Sequence, residues 1–133
     1  MLLVLLPAGC SCLALSGAAG GEGISCSEAV EFAGGARMPA HSSDRKCTRR
    51  SWRDTSVDGT FRMPRGDVAG WMAENFPGES PLTKREYCRE DLCVEQYHPA
   101  EHGRSDDDTL IVNVRAAYEE GGTALITLEA FEV

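Results

Sequence analysis

The sequence feature that most restricts the fold is the C-terminal segment TLIVNVRAAYEEGGTALITLEAFEV. Apolar and polar side chains alternate on both sides of the pair Gly121-Gly122, which is typical of two β-strands that each bury one face. A loop of the two glycines alone would place the two apolar sets on opposite faces, because a shift of one residue reverses every side chain. A three-residue loop that adds Glu120 pairs Tyr118 with Ala124 and brings both sets to one face. The sequence therefore predicts a hairpin with a three-residue loop that contains a left-handed glycine. The predicted core face comprises Leu110, Val112, Val114, Ala116 and Tyr118 of the first strand and Ala124, Ile126, Leu128 and Ala130 of the second.

A second apolar pattern predicts the main helix, in the segment RGDVAGWMAENF at residues 65–76. Four apolar side chains recur there at helical spacing and therefore share one face: Val68, Trp71, Met72 and Phe76. A shorter helix is predicted over residues 28–33, because Ser27 can cap the first turn.

The remaining segments complete the predicted fold. Residues 47–64 are predicted to be extended with a turn at Asp58-Gly59, and residues 92–98 to form a short strand. Together these elements predict an α+β domain, with an antiparallel sheet of about four or five strands that ends in the C-terminal hairpin. One main helix around Trp71 packs on this sheet, and Cys26 ties down the short N-terminal helix.

The N-terminal segment, residues 1–20, is predicted to direct export. It has no charged residue, and its apolar run is shorter than the ~20 residues of a membrane span but fits a signal peptide. Small residues favour cleavage after Ala18, Ala19 or Gly20. The string LPAGC also resembles a bacterial lipobox, which would make Cys10 a lipidation site, and an uncleaved anchor is the third alternative. Each alternative places residues 21–133 outside the cytoplasm as a single domain.

Four cysteines lie in this domain, which predicts two disulfides in an exported protein. Three pairings are possible, and we favour Cys26–Cys47 with Cys88–Cys93 because each closes a local loop. A zinc site of four thiolates is disfavoured, because only Cys88 and Cys93 have the short spacing of zinc ligands. We therefore predict no metal and no cofactor.

The charge of the chain limits its partners. The formal net charge is -8, and every charged residue lies beyond residue 20. Nucleic-acid binding requires a basic surface, so we expect no nucleic-acid partner, and contact with a membrane only through the N-terminal segment or its lipid. We expect a monomer.

The best candidate for a binding site is the basic segment DRKCTRRSWR. It clusters cations around one aromatic ring and could bind an anion, an acidic polysaccharide or a protein. If the segment is a strand, Arg49 and Arg53 share one face and Arg50 and Trp52 the other. The alternative is a basic edge strand that resists aggregation. The candidate binding residues are Arg45, Arg49, Arg50, Trp52 and Arg53.

Two other segments suggest alternative functions. The string HPAEH fits the H-x-x-E-H motif of metal-dependent hydrolases, with His98 and His102 as ligands and Glu101 as base. That chemistry needs both histidines one helical turn apart, which Pro99 disfavours. The loop between Cys88 and Cys93 could instead be a rigid turn that an inhibitor-like domain presents. The sequence shows neither a Ser-His-Asp set nor a phosphate-binding loop.

The order of these segments resembles the small exported proteins and lipoproteins of GC-rich Gram-positive bacteria. The matching parts are the apolar N-terminus and the strings SCSEA, FRMPRGDVAGWMAENFPG and YEEGGTALITLEAFEV, together with a Cys pair. The resemblance implies export but no particular activity. We therefore expect a secreted or envelope-attached, non-enzymatic domain that binds a protein or a cell-wall component.

Overall fold

The computed structural model describes residues 21–51, 54–77, 88–99 and 109–133. Within these residues the chain forms six strands and two α-helices, with a 3₁₀ turn before the second helix. In chain order the elements are β1 (Gly21–Ile24), α1 (Cys26–Phe32), β2 (Ser43–Ser51), β3 (Thr55–Pro64), the 3₁₀ turn (Arg65–Asp67), α2 (Val68–Asn75), β4 (Leu92–Pro99), β5 (Thr109–Tyr118) and β6 (Thr123–Glu132).

The six strands form one antiparallel sheet in the order β1-β2-β3-β6-β5-β4. Strands account for 55% of the described residues, whereas α1 and α2 are only 7 and 8 residues long. The prediction of an α+β domain with four or five strands and one main packed helix is therefore wrong. The missing strand is β1, whose sequence GEGI has a single apolar side chain and hence no detectable period. The predicted length of the main helix was too great, because its first turn, Arg65–Asp67, is a 3₁₀ turn.

The hairpin of β5 and β6 has the register that the alternating pattern predicts. Tyr118 pairs with Ala124, and Val114 pairs with Leu128. Both strands show strict alternation of buried and half-buried residues over most of their length. Gly121 and Gly122 have φ angles of 88° and 82°, a region that favours glycine, so the three-residue loop and its left-handed glycine are confirmed.

The turn predicted at Asp58-Gly59 is not present, because both residues lie inside β3. The chain reverses instead between Ser51 and Thr55. Gly59 pairs with Cys47 across the ladder, and a Cβ atom on Gly59 would overlap Cys47 Sγ and lie 2.7 Å from the carbonyl oxygen of Lys46. The glycine is therefore required by close packing and not by a turn, which a reading of local sequence signals cannot distinguish.

Both helices cover the same face of the sheet. The aromatic rings of Phe61 and Phe76 meet Trp71 edge-to-face, with centroids 5.7 and 5.5 Å from the Trp71 ring. The indole Nε1 of Trp71 donates to the carbonyl oxygen of Arg37 at 2.7 Å, which fastens the connection between α1 and β2 onto α2. The core therefore lies between one face of the sheet and the two helices.

The structure contains the two favoured disulfides. Cys26–Cys47 joins the start of α1 to β2, and Cys88–Cys93 closes a short loop at the start of β4. The cap of α1 is Ser25 and not Ser27: its side-chain oxygen accepts from the backbone N–H of Glu28, and the helix begins one residue after the cap. Two disulfides indicate an oxidising, extracytoplasmic setting.

No helix in residues 21–51, 54–77, 88–99 or 109–133 is long and apolar enough to cross a membrane.

Candidate binding surface

One face of the sheet has no helix on it among the described residues, and we call it the open face. Alternate residues of each strand belong to it, because the residues between them are buried beneath the helices. The open face includes Lys46, Thr48 and Arg50 of β2; Ser56, Asp58, Thr60 and Arg62 of β3; Leu125, Thr127, Glu129 and Phe131 of β6; Ile111, Asn113, Arg115 and Ala117 of β5; and Cys93, Glu95 and Tyr97 of β4.

An apolar row crosses three strands of the open face. Tyr97 pairs with Ile111, and Ile111 pairs with Phe131, so the three side chains are cross-strand neighbours. Tyr97 is 63% exposed although it lies within a regular strand, and the other two are half-buried. The row continues onto polar residues, because Phe131 pairs with Ser56 and Ser56 pairs with Arg50. We call this line of five cross-strand neighbours, which includes two polar residues, the aromatic row: Tyr97, Ile111, Phe131, Ser56 and Arg50.

Polar side chains form a shallow depression of ≈ 250 Å³ beside the aromatic row. It is lined by Lys46, Thr48, Asp58, Gly59, Thr60, Thr127, Leu128 and Glu129. The hydroxyl of Thr48 donates to Asp58 Oδ1 at 2.6 Å, and Arg115 donates to Glu129 Oε1 at 3.0 Å. Both carboxylates are therefore held in place, and each retains oxygen lone pairs for a further donor.

The cations of the open face fall into two classes. Arg62 is paired with Glu119 at 2.8 Å and with Asp44 at 3.2 Å, and these hydrogen bonds raise the pKa of its guanidinium. The hydrogen bond from Arg62 in turn lowers the pKa of Glu119. By contrast, neither Lys46 nor Arg50 forms an ion pair within the described residues. The unneutralised positive charge of the open face therefore lies on β2.

Tyr97 has a neighbour that affects its ionisation. Its hydroxyl donates to the carboxylate of Glu95, which is two residues earlier on β4. This hydrogen bond, together with the negative charge of Glu95, raises the pKa of Tyr97. The exposed ring therefore keeps its hydroxyl proton to a higher pH than a free tyrosine does.

The basic segment is divided between the two faces of the sheet. Arg49 lies on the face of the buried Cys47 and forms an ion pair with Glu22 of β1, whereas Lys46 and Arg50 lie on the open face. Arg45 donates from Nε to Ser42 Oγ at 2.8 Å. Trp52 and Arg53 lie outside the described residues. The segment is not an edge strand, because β2 lies between β1 and β3.

The structure does not support a helical metal site at His98. This residue lies in β4, where its Nε2 is 3.0 Å from Gln96 Oε1, and Gln96 donates to the carbonyl oxygen of Pro77 at 2.9 Å. Its ring also packs on Gly34, whose added Cβ would be 2.8 Å from Nε2. Glu101 and His102 lie outside the described residues, as do residues 1–20 with the candidate lipidation site Cys10.

The described residues contain one group of possible metal ligands, formed by Cys88, Glu90 and Cys93. Both cysteines are joined in a disulfide, so they offer no thiolate. Glu90 Oε2 lies 3.6 Å from Cys93 Sγ, and its other oxygen lies 3.8 Å from Arg115 Nε. Glu90 therefore links the disulfide loop to the open face through an ion pair.

Among the described residues, Arg37 and Met38 line two clefts on the helix side. One is ≈ 330 Å³ and reaches Trp71 and Asp67, and the other is ≈ 460 Å³ and reaches Glu31. Arg37 is exposed, and its side chain forms no ion pair within the described residues.

The chain matches no family model, and no similar protein was found among curated proteins or solved structures.

The aromatic row was not predicted from the sequence. The strand that contains Tyr97 was predicted, but this residue was given no role, and neither Ile111 nor Phe131 was among the predicted core residues of the hairpin. One signal was available: both Ile111 and Phe131 are large apolar residues at positions where strict alternation predicts polar ones. Ile111 and Phe131 lie in one row with Tyr97 and Arg50 because of the strand order, which no local sequence pattern encodes.

Proposed function

We propose that this protein is a non-enzymatic extracytoplasmic binding domain and that the open face is its binding surface. The observation that carries the proposal is the exposed ring of Tyr97, aligned with Ile111 and Phe131 across three strands. Aromatic side chains supply a large contact area at low entropic cost and are enriched where proteins bind partners. A rigid sheet also holds them in position before binding, which lowers the cost of ordering.

The partner that we propose is a protein or a cell-wall component. The acidic net charge of the chain opposes a polyanion such as nucleic acid. The two cations without ion pairs, Lys46 and Arg50, give the open face one positive end, which includes part of the basic segment. We propose that the domain acts as a monomer.

The enzymatic alternative has less support. A hydrolase built on His98, Glu101 and His102 needs the two histidines on one helical face, but His98 is in β4. The inhibitor-like alternative retains one favourable observation, because the Cys88–Cys93 loop is closed and Arg89 within it is exposed.

We also propose that residues 1–20 export the domain, either as a cleaved signal or as a lipoprotein signal with Cys10 as the modified residue. The intact mass of the protein, made in a Gram-positive host, distinguishes the two. A chain that begins near Ala19 to Gly21 indicates secretion, whereas a chain that begins at Cys10 and carries a diacylglycerol indicates a lipoprotein. A chain that keeps residues 1–20 without lipid contradicts both.

The test of the binding surface is co-sedimentation of the protein with isolated cell walls of a GC-rich Gram-positive bacterium. We expect Tyr97→Ala to reduce the sedimented fraction at least fivefold, because it removes the most exposed ring of the aromatic row. The matched control is Arg37→Ala, an exposed residue on the helix side. If Tyr97→Ala sediments like the wild type while Arg37→Ala does not, the binding surface is on the helix side and the proposal is wrong.

A further inference from the structure

We infer that the open face binds a saccharide chain that carries carboxylate groups, and that Arg50 is the residue that recognises a carboxylate. This inference rests on the proposed function, because it names the chemical class of ligand for the same surface. Three features of the open face support it: the spacing of its rings, its fixed hydrogen-bonding groups, and its cations without ion pairs.

The spacing of the aromatic row suits sugar rings. Tyr97 and Phe131 lie two strands apart, which at the usual strand separation is about 10 Å. This is the length of two linked sugar units, so an extended chain across the strands could place alternate sugars on the two aromatic rings. The apolar face of a pyranose ring packs well on an aromatic ring, and Ile111 fills the position between them.

The depression beside the aromatic row supplies partners for sugar hydroxyls. Asp58 and Glu129 are fixed by Thr48 and Arg115, and Thr60 and Thr127 add two more hydroxyl groups. The two carboxylates accept hydrogen bonds, and the threonine hydroxyls both donate and accept them, so together they match the hydroxyls of a saccharide. A large protein interface usually has a broader apolar centre than these few side chains provide.

The negative charge that we infer for the ligand follows from a cation of β2, Arg50. Arg50 lies in the aromatic row two strands beyond Phe131, and so continues the same spacing of about 10 Å. Its side chain extends over Gly21, where an added Cβ would lie 3.5 Å from Arg50 Nε. Arg50 has no ion pair within the described residues, so its guanidinium can bind a carboxylate through two hydrogen bonds. A saccharide chain with widely spaced carboxylates is also repelled less by an acidic protein than a dense polyanion is.

The test compares two saccharides of equal length with the full chain by isothermal titration calorimetry. The acidic probe is a hexasaccharide of alternating N-acetylglucosamine and glucuronate, and the neutral probe is a hexasaccharide of N-acetylglucosamine. We expect the acidic probe to bind at least tenfold more tightly. We expect Arg50→Gln to remove this preference without changing the affinity for the neutral probe, and Tyr97→Ala to weaken both.

The matched control is Arg37→Gln, which removes an exposed arginine without an ion pair from the helix side and should leave both affinities unchanged. Equal losses with Arg50→Gln and Arg37→Gln would show a general charge effect and overturn the inference. Equal binding of the two probes would also overturn it. If neither saccharide binds but sedimentation with cell walls still depends on Tyr97, the ligand is another component of the wall: the inference then fails and the proposed function stands.

Discussion

Gly59→Ala tests whether close packing between β3 and the disulfide strand controls the stability of this sheet. Gly59 lies in the middle of β3, opposite Cys47, and its φ angle is not positive. The substitution therefore causes no strain in the backbone torsion angles. Its effect comes only from the space that a methyl group would need.

The structure indicates a large effect. A Cβ atom on Gly59 would overlap Cys47 Sγ, and would lie 2.7 Å from the Lys46 carbonyl oxygen and 2.9 Å from Cys47 Cα. Two of these atoms belong to the backbone, and the sulfur is fixed by its bond to Cys26, so none can rotate away. Insertion of a methylene into a well-packed site costs about 1–3 kcal/mol, and the rigid surroundings place Gly59→Ala at about 3 kcal/mol.

The assay is thermal unfolding of the oxidised protein, followed by circular dichroism. For a domain of this size we expect Tm to fall by roughly 10–15 °C. The matched control is Gly70→Ala in α2, where an added Cβ has no atom within 4 Å. Alanine is the better helix former, so this control should stabilise the protein by about 0.5–1 kcal/mol.

A further variant identifies the atom responsible. If Cys26 and Cys47 are replaced by alanine, the sulfur is removed, and the additional loss caused by Gly59→Ala should become smaller without vanishing, because the backbone contacts remain. A Tm for Gly59→Ala within 2 °C of the wild type would refute the argument, because the strands would then have separated at no measurable cost.

Three other predictions concern the disulfides and the charged pairs. Replacing both Cys26 and Cys47 by serine should lower the free energy of unfolding by about 3 kcal/mol. Replacing both Cys88 and Cys93 should lower it by about 2 kcal/mol, because this disulfide spans 5 residues and the first spans 21. Urea unfolding measures both, and a larger loss for the shorter loop contradicts the prediction. The lowered pKa of Glu119 means that its contribution to stability is present above its unfolded-state pKa and is lost as the pH falls through its folded-state pKa. Glu119→Gln should therefore flatten the acidic part of the curve of unfolding free energy against pH, and an unchanged curve would show that the ion pair has no such role. Glu95→Gln should lower the pKa of Tyr97 towards that of free tyrosine, because it removes the negative acceptor; ultraviolet titration of the phenolate measures this, and superimposable titrations would contradict it.

Several features were predictable because they depend on residues close together in the chain. The two-residue period of β5 and β6, with a pair of glycines between them, predicts the face, the register and the loop of the hairpin. The short separations of the cysteines likewise favour the two disulfides that the structure contains. In both cases the residues that decide the outcome are close together in the chain, so a local rule is sufficient to predict it.

Other features were decided by the tertiary structure alone. The strand β1 has no apolar period and exists because it pairs with β2, and Gly59 has the signature of a turn but serves close packing inside β3. The binding candidates changed for the same reason: β2 separates Arg49 from Arg50 by placing them on opposite faces. The sequence alone determined which residues alternate along a strand, since that follows from backbone geometry. Only the strand order, which depends on how the whole chain packs, places Arg50 in one row with Tyr97 and Phe131.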